Sequence, residues 1–178
     1  MVIVITGPIA SGKSTVAREL ARELERTNVR VAVIDLDLVH DRLAPSESPS
    51  GEATWALARR GAADLANTYR RQGVTVVVVE GSFNAPDDRA AFAQHLDPGA
   101  RPLHVTLRVS FAEALRRAQG DPTRGRSRDP AFLAPYFTAF DHSPATVPPT
   151  DLVIDTEQMP ATSAAAAIAR IVRHETSS

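Results

Sequence analysis

The chain contains no cysteine, and its 178 residues include one tryptophan and two methionines. Without cysteine there is no disulfide, no thiolate metal site and no cysteine nucleophile. Charge of one sign is also missing: 20 Lys+Arg stand against 21 Asp+Glu, a net charge of −1. That balance excludes a broad electrostatic footprint for nucleic acid, although not a local basic patch. No apolar run approaches the roughly 20 residues of a membrane span. The apolar start breaks at Gly7 and has no basic run before it, so it reads as a first strand rather than a secretory leader. A cytoplasmic protein without nucleic-acid or membrane partners is expected.

Lysine is the most informative scarcity. Of the 20 Lys+Arg, a single residue, Lys13, is lysine. The arginines reflect a compositional skew and say little one by one. The lone lysine stands where a compact ammonium is wanted and a planar guanidinium fits poorly.

What surrounds it is specific. Residues 1–6 are apolar or β-branched and read as a buried strand, and Val16, Ala17, Leu20, Ala21 and Leu24 give the helical pattern that follows. Between them Gly7, Pro8, Ile9, Ala10, Ser11, Gly12, Lys13, Ser14 and Thr15 contain G-x-x-x-x-G-K-[ST], the phosphate-cradling P-loop. Glycines let backbone N–H groups close around phosphate oxygens, and the helix start adds its positive dipole end. Lys13 can reach the β- and γ-phosphates, and the Ser14 hydroxyl can ligate Mg²⁺.

Taken in order, the chain alternates strands and helices. A helix over 13–27 precedes a strand at 31–34, and a polar turn at 45–51 precedes a helix over 52–72. The valine run 74–79 is too β-branched for a comfortable helix and apolar on both faces, as a central parallel strand should be. Helices over 86–96, 111–120 and 130–140, strands at 103–109 and 152–154, a connector at 142–150 and a closing helix over 162–174 complete the pattern. Such alternation predicts an α/β fold: one domain over 1–178, with a five-stranded parallel sheet, helices on both faces and ligands at the strands' carboxyl ends.

Carboxylates follow three of those strands. Glu80 ends the most hydrophobic one and is a candidate to hold the metal with Ser14; capping a turn or pairing with an arginine is the alternative. Asp35 faces the core or reaches the metal. Asp37 is placed to accept the proton of a hydroxyl attacking a γ-phosphoryl group, or to N-cap a short helix over 38–43. Arg116, Arg117, Arg124, Arg126 and Arg128 surround a loop at 120–129 that reads as a mobile lid or as a solvated charged turn. No Asn-Lys-x-Asp guanine motif is present, which favours ATP over GTP.

Together these residues resemble the small P-loop kinases that phosphorylate hydroxyl groups: adenylylsulfate, gluconate and shikimate kinases and chloramphenicol phosphotransferase. The resemblance spans nearly the whole chain in element order. It implies ATP and Mg²⁺ as cofactors and a small-molecule hydroxyl as acceptor, with a monomer or homodimer expected. It matches 33–39 to the segment whose aspartate, here Asp37, contacts the acceptor. It matches 149–156 to the last strand and the loop beside adenine, bringing in Thr156. The lid would lie at about 120–130, with Arg117 stacked on adenine and Arg124 and Arg128 on the developing charge. Adenylylsulfate kinases carry Asp-Gly-Asp followed three residues on by arginine; Leu36 and His40 stand in those places here, which argues against that acceptor.

Acceptor specificity is expected from 38–60 and 82–92, which offer His40, Arg42, Trp55, Arg59, Phe83 and Asn84. Trp55 lines a pocket or packs in the core, and His40 touches substrate or is a satisfied surface histidine. Phe132, Tyr136, Phe137 and Phe140 have the spacing of packing residues. A nucleoside or nucleotide kinase, with aromatics around Trp55 and Phe83 stacking on a base, is the nearest rival. A non-catalytic ATP-binding regulatory module is the rival from another class.

Overall fold

A computed structural model describes residues 1–43, 51–83, 85–141 and 151–176. The turn expected over 45–50, Asn84 and the connector 142–150 lie outside the described residues. The elements are β1 (Val2–Thr6), α1 (Lys13–Glu25), β2 (Val31–Asp35), α2 (Leu36–Leu43), α3 (Glu52–Arg71), β3 (Val76–Glu80), α4 (Pro86–Gln94), β4 (Leu103–Arg108), α5 (Phe111–Gly120), a 3₁₀ segment (Pro122–Arg128), α6 (Pro130–Asp141), β5 (Leu152–Asp155) and α7 (Ala161–Thr176). The strands form one parallel sheet in the order β2-β3-β1-β4-β5.

Side chains alternate across the sheet, so each strand contributes to two cores. Ile3, Ile5, Val76, Val78, Val105 and Leu107 meet Leu20 and Leu24 of α1 and Ile168 of α7. Val2, Val4, Val77 and Val79 face the alanines of α3 and Phe92 of α4. That explains the valine run: both of its faces are covered. A third cluster packs Ala10 of the loop after β1 against Ala114, Ala118, Leu133 and Phe137 of α5 and α6.

Register decides what lies beside what at the carboxyl edge. Ile5 pairs with Glu80, Asp35 with Glu80, and Thr6 with Thr106. Three neighbouring strands therefore end level, two of them in carboxylates.

Local chemistry moved two expected boundaries. β3 starts at Val76 because the Val74 N–H is taken by Tyr69 O at 3.0 Å, closing the end of α3. α2 starts at Leu36 because Asp35 Oδ1 accepts from the N–H groups of Asp37 (2.9 Å) and Leu38 (3.2 Å). Asp35, not Asp37, is thus the N-cap.

Gly81 makes this junction possible. Its φ is +153°, and a Cβ there would lie 2.5 Å from Leu36 Cβ, at the first residue of α2. Gly81→Ala is expected to destabilise the fold by about 1–3 kcal/mol, through overpacking at a position that cannot relax. Urea denaturation checks this; a midpoint equal to the parent's contradicts it.

Candidate active site

The loop after β1 turns back on itself. Ser11 N–H donates to Pro8 O at 3.2 Å, and Gly12 adopts a left-handed conformation (φ 93°) at the start of α1. Ala10 also has positive φ, 61°, a strained setting for a residue with a Cβ. Gly7 is enclosed: a Cβ there would sit 2.6 Å from Leu107 O and 2.8 Å from Ser11 Oγ. The result is a cradle of backbone N–H groups at a helix N-terminus.

Lys13 lies over this cradle, donating to Gly7 O at 3.1 Å and Pro8 O at 3.2 Å. Burial pushes its ammonium below the ordinary lysine value. Asp37, Glu80 and Asp35 act against that shift, and Arg124 adds to it. Glu80 is buried, and desolvation raises its carboxyl above the usual range; the Ser14 hydroxyl, donating to it, partly offsets the rise. Asp37 is raised as well, first by desolvation and then by Asp35 and Asp41, against Lys13. One ammonium and three carboxylates therefore form a single electrostatic cluster beside the loop.

Ser14 and Glu80 fit a Mg²⁺ ion by their chemistry: hard oxygen donors, already in contact, few enough to leave positions for phosphate oxygens and water. Among the described residues no group of three carboxylate or histidine side chains forms an all-protein cage. Asp35 has one carboxylate oxygen engaged in capping α2.

Beside the loop is a cavity of about 350 Å³, lined by Ala10, Gly12, Thr15, Arg117, Thr156 and Pro160 among others. Arg117 is held flat in its wall. Nε donates to Glu113 (2.7 Å), Nη1 to Thr156 Oγ1 (3.0 Å) and Nη2 to Thr156 O (2.8 Å). Arg116 and Arg117 together lower the Glu113 carboxyl to about 2. Arg124, which pairs with Asp121 at 3.4 Å, also lines this cavity. Arg128 belongs elsewhere: its Nη2 donates to Gln119 O at 3.4 Å, at the end of α5. Arg126 lies over the Phe132 ring, 4.8 Å from its centroid.

On the other side of Lys13 several expectations change. His40 is no surface histidine. Its residue is 6% exposed, its ring stacks on Trp55 at 3.9 Å between centroids, and its Nε2 has no hydrogen-bond partner. Phe83 does not line a pocket: it is 0% exposed and packs edge-on against Phe92. The ring is core because its backbone N–H is anchored to Thr6 Oγ1 at 3.1 Å, which turns the side chain inward. Arg59 is buried and committed, with Nη1 2.9 Å from Asp88 and 2.8 Å from Glu52. Arg42 is exposed at the end of α2. Arg89 was invisible to sequence reasoning. It is 2% exposed and donates to Phe83 O and Thr106 Oγ1.

Comparison with known proteins follows the same lines. A family model described as an AAA domain matches residues 2–133. A probable adenylyl-sulfate kinase of Archaeoglobus fulgidus is 36% identical over 85 residues, which is 47% of this chain. The match spans 54%, about half, of that relative's own length. The APS kinase of Mycobacterium tuberculosis, solved with AMPPNP and APS, superposes with a TM-score of 0.73 at 20% identity, covering 97% of this chain and 96% of that one. Shikimate kinase from Acinetobacter baumannii, solved with shikimate, gives 0.64 at 19% identity, covering 98% and 93%. The sheet and its flanking helices are thus those of the P-loop small-molecule kinases.

The two carboxylates on Arg59 should differ sharply in weight. Asp88 is 13% exposed and Glu52 77%. Asp88→Ala leaves a buried guanidinium half-paired and is expected to destabilise by about 3 kcal/mol or more. Glu52→Ala removes a solvated partner and should change stability by less than about 1 kcal/mol. Equal effects of the two in thermal or urea unfolding contradict this reading.

Proposed function

The chain belongs to the AAA-domain family, and from that premise we propose that it is an ATP- and Mg²⁺-dependent kinase acting on a small-molecule hydroxyl. The observation that carries the proposal is the cluster of Lys13, Asp37 and Glu80 beside the P-loop, with mutual electrostatic influence. A nucleotide-binding module without chemistry needs a carboxylate for the metal, which Glu80 can be, but not a second one at Asp37.

The roles follow from position. Backbone N–H groups of 7–15 bind the phosphates, and Lys13 exchanges its two carbonyl contacts for phosphate oxygens. Ser14 and Glu80 would hold the Mg²⁺, which would neutralise phosphate charge, with Asp35 as a further carboxylate for it. Arg117, already clamped, offers its guanidinium plane to the base. Thr156 keeps that plane in place. The 3₁₀ segment acts as the lid over one domain of 1–178: it is exposed, and Gly125 interrupts its helical dihedrals. Arg124 stabilises the charge that develops on transfer. Arg128, bonded to the end of α5, would have to leave Gln119 O to join it.

Asp37 handles the proton. The acceptor oxygen forms a bond to the γ-phosphorus, the bond from that phosphorus to the β,γ-bridging oxygen breaks, and the hydroxyl proton passes to the Asp37 carboxylate. ADP leaves with the bridging oxygen. A carboxyl raised above its ordinary value is better suited to take a proton than a fully solvated one.

The Archaeoglobus relative supports phosphoryl transfer as the class of reaction. Leu36 and His40 argue for an acceptor other than adenylylsulfate. The nucleoside-kinase alternative loses support, because Phe83 is core and one face of Trp55 is covered by His40.

Lys13→Ala and Asp37→Asn are each expected to reduce acceptor-stimulated ADP release by about 10³-fold or more, while Asp37→Asn keeps ATP affinity within a few-fold. Transfer at the parent rate by Asp37→Asn removes Asp37 as the base. The pH profile of kcat/KM gives an independent check. Asp37 and Glu80 must be ionised, so activity falls with decreasing pH through values above the ordinary 3.8 and 4.5. Lys13 must be charged, so activity falls with increasing pH below the ordinary 10.5. A profile flat from about pH 4 to about pH 10.5 contradicts both assignments.

A further inference from the structure

The second inference rests on the kinase reading above and concerns the charge of the acceptor. Three arginines placed by the structure bear on the acceptor side of Lys13. Arg59 is closed by Asp88 and Glu52, and its Nε donates to Ser82 O at 3.4 Å. Arg89 is buried and donates to Phe83 O at 3.2 Å and Thr106 Oγ1 at 3.4 Å. Arg42 follows Asp37 by five residues on α2, which places it about 140° round the helix. The segment 44–50 and position 84 contain neither lysine nor arginine.

Anionic groups are not closed in the same way. Asp35 and Asp41 act against the charge of Asp37, Lys13 and His40 favour it, and no arginine is among the groups acting most strongly on it. The Asp41 side chain is 73% exposed, and His40 Nδ1 approaches it at 3.5 Å. His40 adds a buried Nε2 with no partner among the described residues, one turn from Asp37. A hydroxyl satisfies that atom whichever way the ring is protonated, since it both donates and accepts.

We infer that the acceptor carries no carboxylate, sulfate or phosphate: it is a polyhydroxylated molecule, neutral or amino-bearing, held between Asp37 and the His40–Trp55 stack. An anionic acceptor would place its charge beside Asp37 and Asp41, where among the described residues Arg59 and Arg89 are already committed and Arg42 stands about 140° round α2 from Asp37. Lys13 and Arg124 do not receive that charge, because both face the nucleotide phosphates.

The test is acceptor-stimulated ADP release with ATP and Mg²⁺, using hydroxyl skeletons presented in three charge forms. These are neutral sugars and cyclitols, the corresponding amino sugars and aminocyclitols, and the corresponding sugar acids. Turnover is expected with neutral or amino-bearing members, and kcat/KM for a matched acid is expected to be lower by at least about tenfold. In Asp41→Lys that preference should narrow or reverse. An acid used as well as its uncharged counterpart overturns the inference and leaves the kinase reading standing. A protein that binds ATP but responds to none of the three forms overturns the kinase reading, and this inference with it.

Discussion

A half-buried ammonium, that of Lys13, governs the carboxyl end of this sheet. Its charge is tolerated because Asp37, Glu80 and Asp35 lie near it and two loop carbonyls accept hydrogen bonds from it. The charged forms of Asp37 and Glu80 are in turn favoured by Lys13. The cluster exists only because the strands end level: Asp35 and Glu80 are register partners, and Ile5, at the end of β1, pairs with Glu80 as well. A slip of one residue in β3 would send Glu80 to the other face of the sheet and leave Lys13 without it.

The arginines show the opposite economy. Where lysine is single and central, guanidiniums are many and locally satisfied. Arg117 is fixed by Glu113 and Thr156, Arg59 by Asp88 and Glu52, Arg128 by Gln119. Fixed guanidiniums make walls and platforms; Lys13, held by two loop carbonyls, is the charge that the proposed transfer would draw on. On the proposed reading, that division leaves the acceptor side acidic.

Much of this was legible in the sequence, for reasons that can be named. The P-loop is a contiguous motif whose chemistry dictates its spacing, and the alternation of elements is carried by periodicity. Asp37 and Glu80 could be placed because strand ends are marked by where apolar runs stop. What failed depended on side-chain direction. Phe83 looked like a pocket residue until its backbone was seen anchored to Thr6. His40 looked solvated until Trp55, arriving from α3, covered it. Asp35 rather than Asp37 caps α2, a choice decided by two residues of helix boundary. Arg89 gave no signal, since nothing local distinguishes an arginine that turns inward from one that does not.

The central claim is that the loop after β1 presents a triphosphate to Asp37. The most direct measurement is a crystal structure with a non-hydrolysable ATP analogue and Mg²⁺. The account predicts phosphates against the N–H groups of residues 7–15, the metal on the Ser14 hydroxyl, Lys13 released from the Gly7 and Pro8 carbonyls, and the terminal phosphate facing the Asp37 carboxylate. A triphosphate bound outside the loop, or a terminal phosphate on the side of the loop away from Asp37, would contradict it.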